Sequence, residues 1–149
     1  MQENNDAVSL GRLVNEMSRT MTYFISRRLA PYGLNKDDFD VLSILSRLGS
    51  IEQVELIERM KCEKYTATKI LARLQEKHLV YKERDSHDRR RLHLFLTREG
   101  EKLIPVLDEL KKEITSTLAL DLEFDKAAEI LQQMTENMRS RVTSMKEHT

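Results

Sequence analysis

Apolar residues recur at spacings of three and four along most of this chain. Leu10, Leu13, Val14, Met17, Met21, Phe24, Ile25 and Leu29 make one stripe, which predicts a long first helix. Pro31-Tyr32-Gly33 ends it. Asn35 is placed to cap a second helix carrying Phe39, Leu42, Leu45 and Leu48, and Gly49 stops that helix. A short helix is expected over roughly 51–60, with Val54, Leu56, Ile57 and Met60 apolar. After a break of a few residues another runs over about 64–77. Its Ala67, Ile70, Leu71 and Leu74 fall at i, i+3, i+4 and i+7, on one face.

Past His78 the period changes to two. Residues 79–84 read as a short strand, and 91–96 as another with Leu92, Leu94 and Leu96 on one side. The polar, charge-dense stretch 85–90 lies between them as the tip of a β-ribbon. Thr97 looks like an N-cap, with Glu99 in the first turn of a helical stretch over 98–120. Pro105 predicts a kink or an early break there. An acidic turn at 121–125 precedes a last helix carrying Ala127, Ile130, Leu131, Met134, Met138, Val142 and Met145. The fold class is therefore mainly α with a small β-wing, a winged helix-turn-helix with helices added at both ends. The terminal stripes exceed what a small winged core can cover in one protomer. Pairing the helices of 8–30 and 98–146 between two chains would bury them, so a homodimer is expected.

Composition narrows the class. The 149 residues suit a single domain over 1–149, and 40% hydrophobic residues suffice for a core. Two prolines and four glycines leave room for long helices. No run approaches the ~18–20 apolar residues of a membrane span. The polar, acidic N-terminus does not resemble a signal peptide, and one cysteine makes no internal disulfide, so a cytoplasmic location is expected. Net charge is zero, but its distribution is uneven. Residues 58–93 hold 11 Lys/Arg against 6 Asp/Glu, a local +5 balanced by −5 elsewhere. Concentrated positive charge is what a phosphate-binding face needs.

That charge falls on two elements. On the helix over 64–77, Tyr65, Lys69 and Arg73 point nearly opposite the buried face, with Thr66 and Thr68 on its flanks and Lys64 at its start. Such a face suits a recognition helix: its first half meets base edges while hydroxyls and lysines meet phosphates. Lys69 or Arg73 can pair with guanine, and the threonine methyls can touch thymine. At the ribbon tip, Arg89, Arg90 and Arg91 exceed what packing needs, and an arginine there can enter the minor groove. Asp88 has the wrong sign for DNA and is expected to hold Arg90 in an extended pose. The bland readings are a solvated amphipathic helix and an ordinary charged hairpin. Their combination in one motif, behind a short helix and a tight break, favours double-stranded DNA as partner.

The stretch Asp85-Ser86-His87-Asp88-Arg89-Arg90-Arg91-Leu92-His93-Leu94-Phe95-Leu96-Thr97-Arg98-Glu99-Gly100 resembles the wing of the multiple antibiotic resistance regulator (MarR) family, Asp-x-Arg followed by a strand and Leu-Thr-x-x-Gly. Glu55-Leu56-Ile57 and Leu74-Gln75-Glu76-Lys77-His78-Leu79-Val80 are similar to two more family segments, with His78 where a glycine is usual, so the turn into the wing is expected to differ locally. The order of elements matches over about 8–146. The resemblance implies a triangular dimer in which 35–97 forms the DNA-binding lobe. It also implies a pseudo-palindromic operator and a regulator, more often a repressor, released by a small aromatic or anionic ligand or by an oxidant. It places DNA contacts on Tyr65, Thr66, Thr68, Lys69, Arg73, Asp88 and Arg90.

Other side chains suggest sensing. Cys62 lies before the recognition helix beside Lys61 and Lys64, where a thiol is activated, although a small buried turn residue is the simpler role. The family's hydroperoxide sensors use a first-helix cysteine, absent here. Tyr23, Arg27, Arg28 and Tyr32 near the end of the first helix can accept an aromatic acid. His78, His87, His93 and His148 lack ligand spacing, so neither metal nor cofactor is expected. No phosphate loop, nucleophile elbow or zinc-protease motif points to an enzyme. The rival reading is a winged-helix adaptor acting through protein contacts, against which the basic window speaks. Operator, target genes, inducing signal and regulatory sign are not encoded in any motif.

Overall fold

The sparse breakers set the element boundaries. The computed structural model describes residues 3–120 and 123–146, with the side chains of 9–120 and 123–146. Helix α1 (Glu3–Leu29) runs unbroken into a single 3₁₀ turn, Ala30–Tyr32, which holds Pro31 in its first positions. Gly33 then takes φ +67°, a left-handed conformation that glycine adopts without a Cβ clash. Helix α2 (Lys36–Leu48) starts in a capping box. The Asn35 side chain accepts the Asp38 N–H at 3.1 Å, and the Asp38 carboxylate accepts the Asn35 N–H at 2.9 Å. Gly49 ends α2 with φ +75°.

Here the structure departs from the expected pattern. Residues Ser50–Glu52 are not the start of a helix but a strand, β1, and helix α3 begins only at Gln53 (Gln53–Met60). Lys61 turns the chain with φ +53° into α4 (Lys64–Glu76), completing the helix-turn-helix. Strands β2 (Val80–Arg84) and β3 (Leu92–Leu96) form the wing. The sheet has three strands, not two, in the antiparallel order β1-β3-β2, with Ile51 and Lys82 both opposite Leu94. Leu94 is fully buried at its centre, and Tyr81 stacks on Phe95 with ring centroids 5.2 Å apart.

Two residues fix the joints of the wing. His78, standing where a glycine is usual, adopts φ +56°. Histidine rarely adopts this left-handed conformation, which a glycine would take without a Cβ clash. Gly100 leaves no room for a side chain: a Cβ there would lie 2.2 Å from the Leu79 carbonyl oxygen. Thr97 caps α5 (Arg98–Glu101) by accepting the Gly100 N–H at 3.0 Å and donates its own hydroxyl to the His78 carbonyl at 2.6 Å. The chain breaks at Lys102-Leu103, ahead of Pro105, and resumes as α6 (Ile104–Leu118). Proline thus stands in the first turn of a helix, where its missing N–H costs nothing.

The chain divides into two compact units, residues 1–110 and 111–149. The first has a core of Ile25, Leu29, Leu42, Leu45, Leu56, Leu71, Leu74 and Leu94, drawn from α1 to α4 and β3. Residues 9–20 of α1 contribute nothing to it: Leu13 is 62% exposed, and Leu10, Val14 and Met17 are exposed too. The second unit contains α7 (Phe124–Lys146), in which no described residue is buried and Met138 is 66% exposed. Residues 121–122 of the expected acidic turn, and His148, lie outside the described residues.

Candidate nucleic-acid interface

Helix α4 is held from beneath by Ala67, Ile70, Leu71 and Leu74, all buried. That packing turns Lys64, Tyr65, Thr66, Thr68 and Lys69 outward, and all five are exposed. Glu63 precedes the helix without a side-chain cap, so the first-turn amides are left for an external acceptor. The Lys69 ammonium lies 4.7 Å above the Tyr65 ring, a cation–π contact that orders both long side chains on the open face. Thr68 donates its hydroxyl hydrogen to the Lys64 carbonyl at 2.8 Å, leaving its oxygen to accept and its methyl group outward.

Arg73 differs from expectation. It does not stand free beside Lys69. Its Nη2 and Nε lie 2.6 Å and 3.2 Å from Asp38 Oδ1, and Nη2 also reaches Asn35 Oδ1 at 3.2 Å. The guanidinium is long enough to reach back to the start of α2, which helical azimuth alone does not reveal. Of the two candidates for a base contact, Lys69 is exposed, while Arg73, its side chain 39% exposed, is engaged by Asp38.

The wing tip is ordered by its own carboxylates. Asp85 Oδ1 accepts the backbone N–H groups of His87 at 2.8 Å and Asp88 at 3.0 Å, while Oδ2 lies 3.1 Å from His93 Nε2. The two backbone hydrogen bonds, with lesser help from His93, hold the Asp85 carboxyl below its ordinary pKa. Asp88 Oδ1 accepts the Arg90 backbone N–H at 3.0 Å and its Nε at 3.3 Å, leaving the Arg90 side chain 93% exposed. Arg84 donates to the Arg89 carbonyl at 2.6 Å, and Arg91 pairs with Glu52 of β1. One tip arginine thus ties the wing to β1, while Arg89 and Arg90 remain exposed. The roles of Asp38, Glu52 and Arg84 escape a linear reading. Only Asp38, three residues after a capping asparagine, carries a local signal.

The remaining candidates scatter. Cys62 is half-buried in the turn between α3 and α4. Arg28 and Tyr32 line an open cleft of about 410 Å³ with Leu29, Pro105, Val106, Glu109 and Leu110. Tyr23 and Arg27 are exposed and do not line it. Among the described residues no group of three or more His, Cys, Asp or Glu is placed to hold a metal ion, and no helix is long and apolar enough to cross a membrane.

Residues 34–92, from the start of α2 to the start of β3, match the MarR family pattern. The transcriptional regulator HosA of Escherichia coli O157:H7 is 36% identical over 92 residues, covering 59% of this chain and 68% of that protein. The chain belongs to the MarR family. The HTH-type transcriptional regulator SarZ of Staphylococcus epidermidis is 27% identical over 115 residues, 77% of this chain and 74% of its own length. Among solved structures, a MarR transcriptional regulator from Methanosarcina mazei Go1 superposes with a TM-score of 0.77 at 28% identity, over 88% of this chain and 96% of that one. Reduced AbfR bound to DNA shares the fold at 21% identity, with a TM-score of 0.80 over 95% of this chain and 98% of that one. The winged helix-turn-helix and the small β-wing on a mainly helical chain are thus the fold of the MarR family.

Proposed function

We propose that this chain is a sequence-specific, DNA-binding transcriptional regulator, a repressor that acts as a homodimer on a pseudo-palindromic operator. One observation carries the reading. The α4 face presents ordered Lys69 and Tyr65 with Thr66 and Thr68, while Asp88 pins an outstretched Arg90 at the wing tip. The first set suits base edges and phosphates of a major groove, the second a minor groove. Relatives named as transcriptional regulators, and a structure of the same fold solved bound to DNA, support it. In this reading Lys64 and Arg89 add phosphate contacts, and 35–97 is the DNA-binding lobe.

The homodimer is supported by the uncovered stripes of α1 and α7. A two-fold pair buries both and presents two reading helices to half-sites about one helical turn apart. Release requires a signal that prefers the DNA-incompetent state. The cleft bordered by Arg28 and Tyr32 offers a cation and an aromatic ring to a small anionic aromatic effector. Tyr23 and Arg27 fall outside that proposal.

Selection of duplexes from a random pool, under reducing conditions at near-physiological salt, tests the function. Enrichment of an inverted repeat with half-sites about one turn apart is expected. Alanine at Lys69 should cost about 1–3 kcal/mol of operator affinity if it pairs with a base, and relax preference at that base pair. A pool that stays random would overturn the reading and favour an adaptor acting through protein contacts.

A further inference from the structure

Asp38 is the only buried charged residue among the described ones, 1% exposed. A carboxylate so removed from water persists only when its lone pairs are met. Oδ2 accepts the Asn35 N–H, and Oδ1 accepts both Nε and Nη2 of Arg73. Asn35 Oδ1 closes the network by accepting from the Asp38 N–H and from Arg73. The first turn of α2 is thereby fastened to α4 across 35 residues of sequence.

The place of this fastening on α4 matters. Tyr65, Lys69 and Arg73 are successive members of one i, i+4 ridge. Tyr65 and Lys69 occupy its open end and touch each other; Arg73 occupies the anchored end. The apolar contacts beneath α4 seat the helix but carry no directional bond. A charge-assisted bond from a planar guanidinium is directional. It sets the angle at which the ridge leaves the lobe, and it keeps one cation of the ridge from pairing indiscriminately with phosphate.

We infer that Asp38 is a positioning residue for DNA reading: by clamping Arg73 it fixes the rotation of α4 and favours specific over non-specific binding. The inference rests on the DNA-binding reading above.

The test compares full-length wild type with Asp38→Asn, whose amide oxygen can still accept the Asn35 N–H while the negative charge that holds Arg73 is lost. Affinities are measured for the duplex enriched by wild type and for a random duplex, well below the melting temperature, with helical content checked by circular dichroism. The ratio of the two affinities is expected to fall about tenfold, the size of losing one base contact. The random duplex should bind unchanged or more tightly, with a steeper salt dependence from the released Arg73. A purely structural role would lower the melting temperature and leave the ratio intact, which overturns the inference. If Asp38→Asn does not fold, Arg73→Lys decides, since it keeps the charge and loses the fork. A fall in its ratio supports the clamp, and an unchanged ratio overturns it. A wild type that enriches no duplex overturns the DNA reading itself, and the clamp with it.

Discussion

Helices α4 and α7 carry the same kind of signal, an apolar stripe at helical spacing, and meet opposite fates. In α4 the stripe is wholly buried, with Ala67, Leu71 and Leu74 at 0% exposure. In α7, Ile130, Leu131, Met138, Val142 and Met145 are exposed and Met134 is half-buried, so no member of the stripe is buried. Periodicity therefore reports that a face wants cover and is silent on which chain supplies it. In the proposed homodimer, the difference separates residues whose loss unfolds this chain from residues whose loss would separate two chains.

The sharpest test of that separation is Leu71→Ala. A leucine with no solvent exposure leaves a cavity when truncated, and about 2–5 kcal/mol of stability should vanish in a denaturant titration. A loss under about 1 kcal/mol would mean that the winged core is not as closed as its burial states. The counterpart on α7 is Ile130→Asp with Met138→Asp. The pair should leave secondary structure intact but move the sedimenting mass from about twice 17.5 kDa to one chain. Operator affinity should drop with it, since two half-sites no longer bind as one. A variant that stays dimeric would take α7 out of the interface.

The smallest expected effect lies at the wing. The Asp85 carboxyl is held below its ordinary value of 3.8, chiefly by the Asp88 and His87 N–H groups. A depressed carboxylate contributes stability that is fully present above its unfolded value and fades as pH falls through its folded one. Ordering of the wing tip, followed through the NMR shifts of the His87 and Asp88 amides, should thus persist to pH values below 3.8 before melting. Asp85→Asn should abolish that acid transition. An identical transition in the variant would assign it to another group.

The reach of sequence reasoning follows from the range of each interaction. Helix stripes, the Asn35 and Thr97 caps and the stops at Gly33 and Gly49 depend on neighbours within one or two turns, and all are readable in order. Strand β1 is not, because three residues running directly into Gln53 cannot display a period. Pro105 marks a break, but its preference for a helix's first turn moves that break to Lys102-Leu103. At the candidate interface, the exposed positions on α4 and the Asp88–Arg90 contact follow from azimuth and short spacing. The diversion of Arg73 to Asp38 and of Arg91 to Glu52 depends on partners 35 and 39 residues away, beyond any local pattern.

Strand β1 has a mechanical consequence. It joins the end of α2 to the start of α3 and lies against β3, and Glu52 holds Arg91 beside the wing tip. Helix-turn-helix and wing therefore share one sheet and have little freedom to hinge apart. A stimulus acting anywhere on this lobe has a single coordinate to work with, the pose of the whole lobe, unless it first peels a three-residue strand from its neighbour. On the proposed DNA-binding reading, such a lobe would act as a rigid stamp with two raised features, its grip on a grooved surface set by where it is held and not by how it bends.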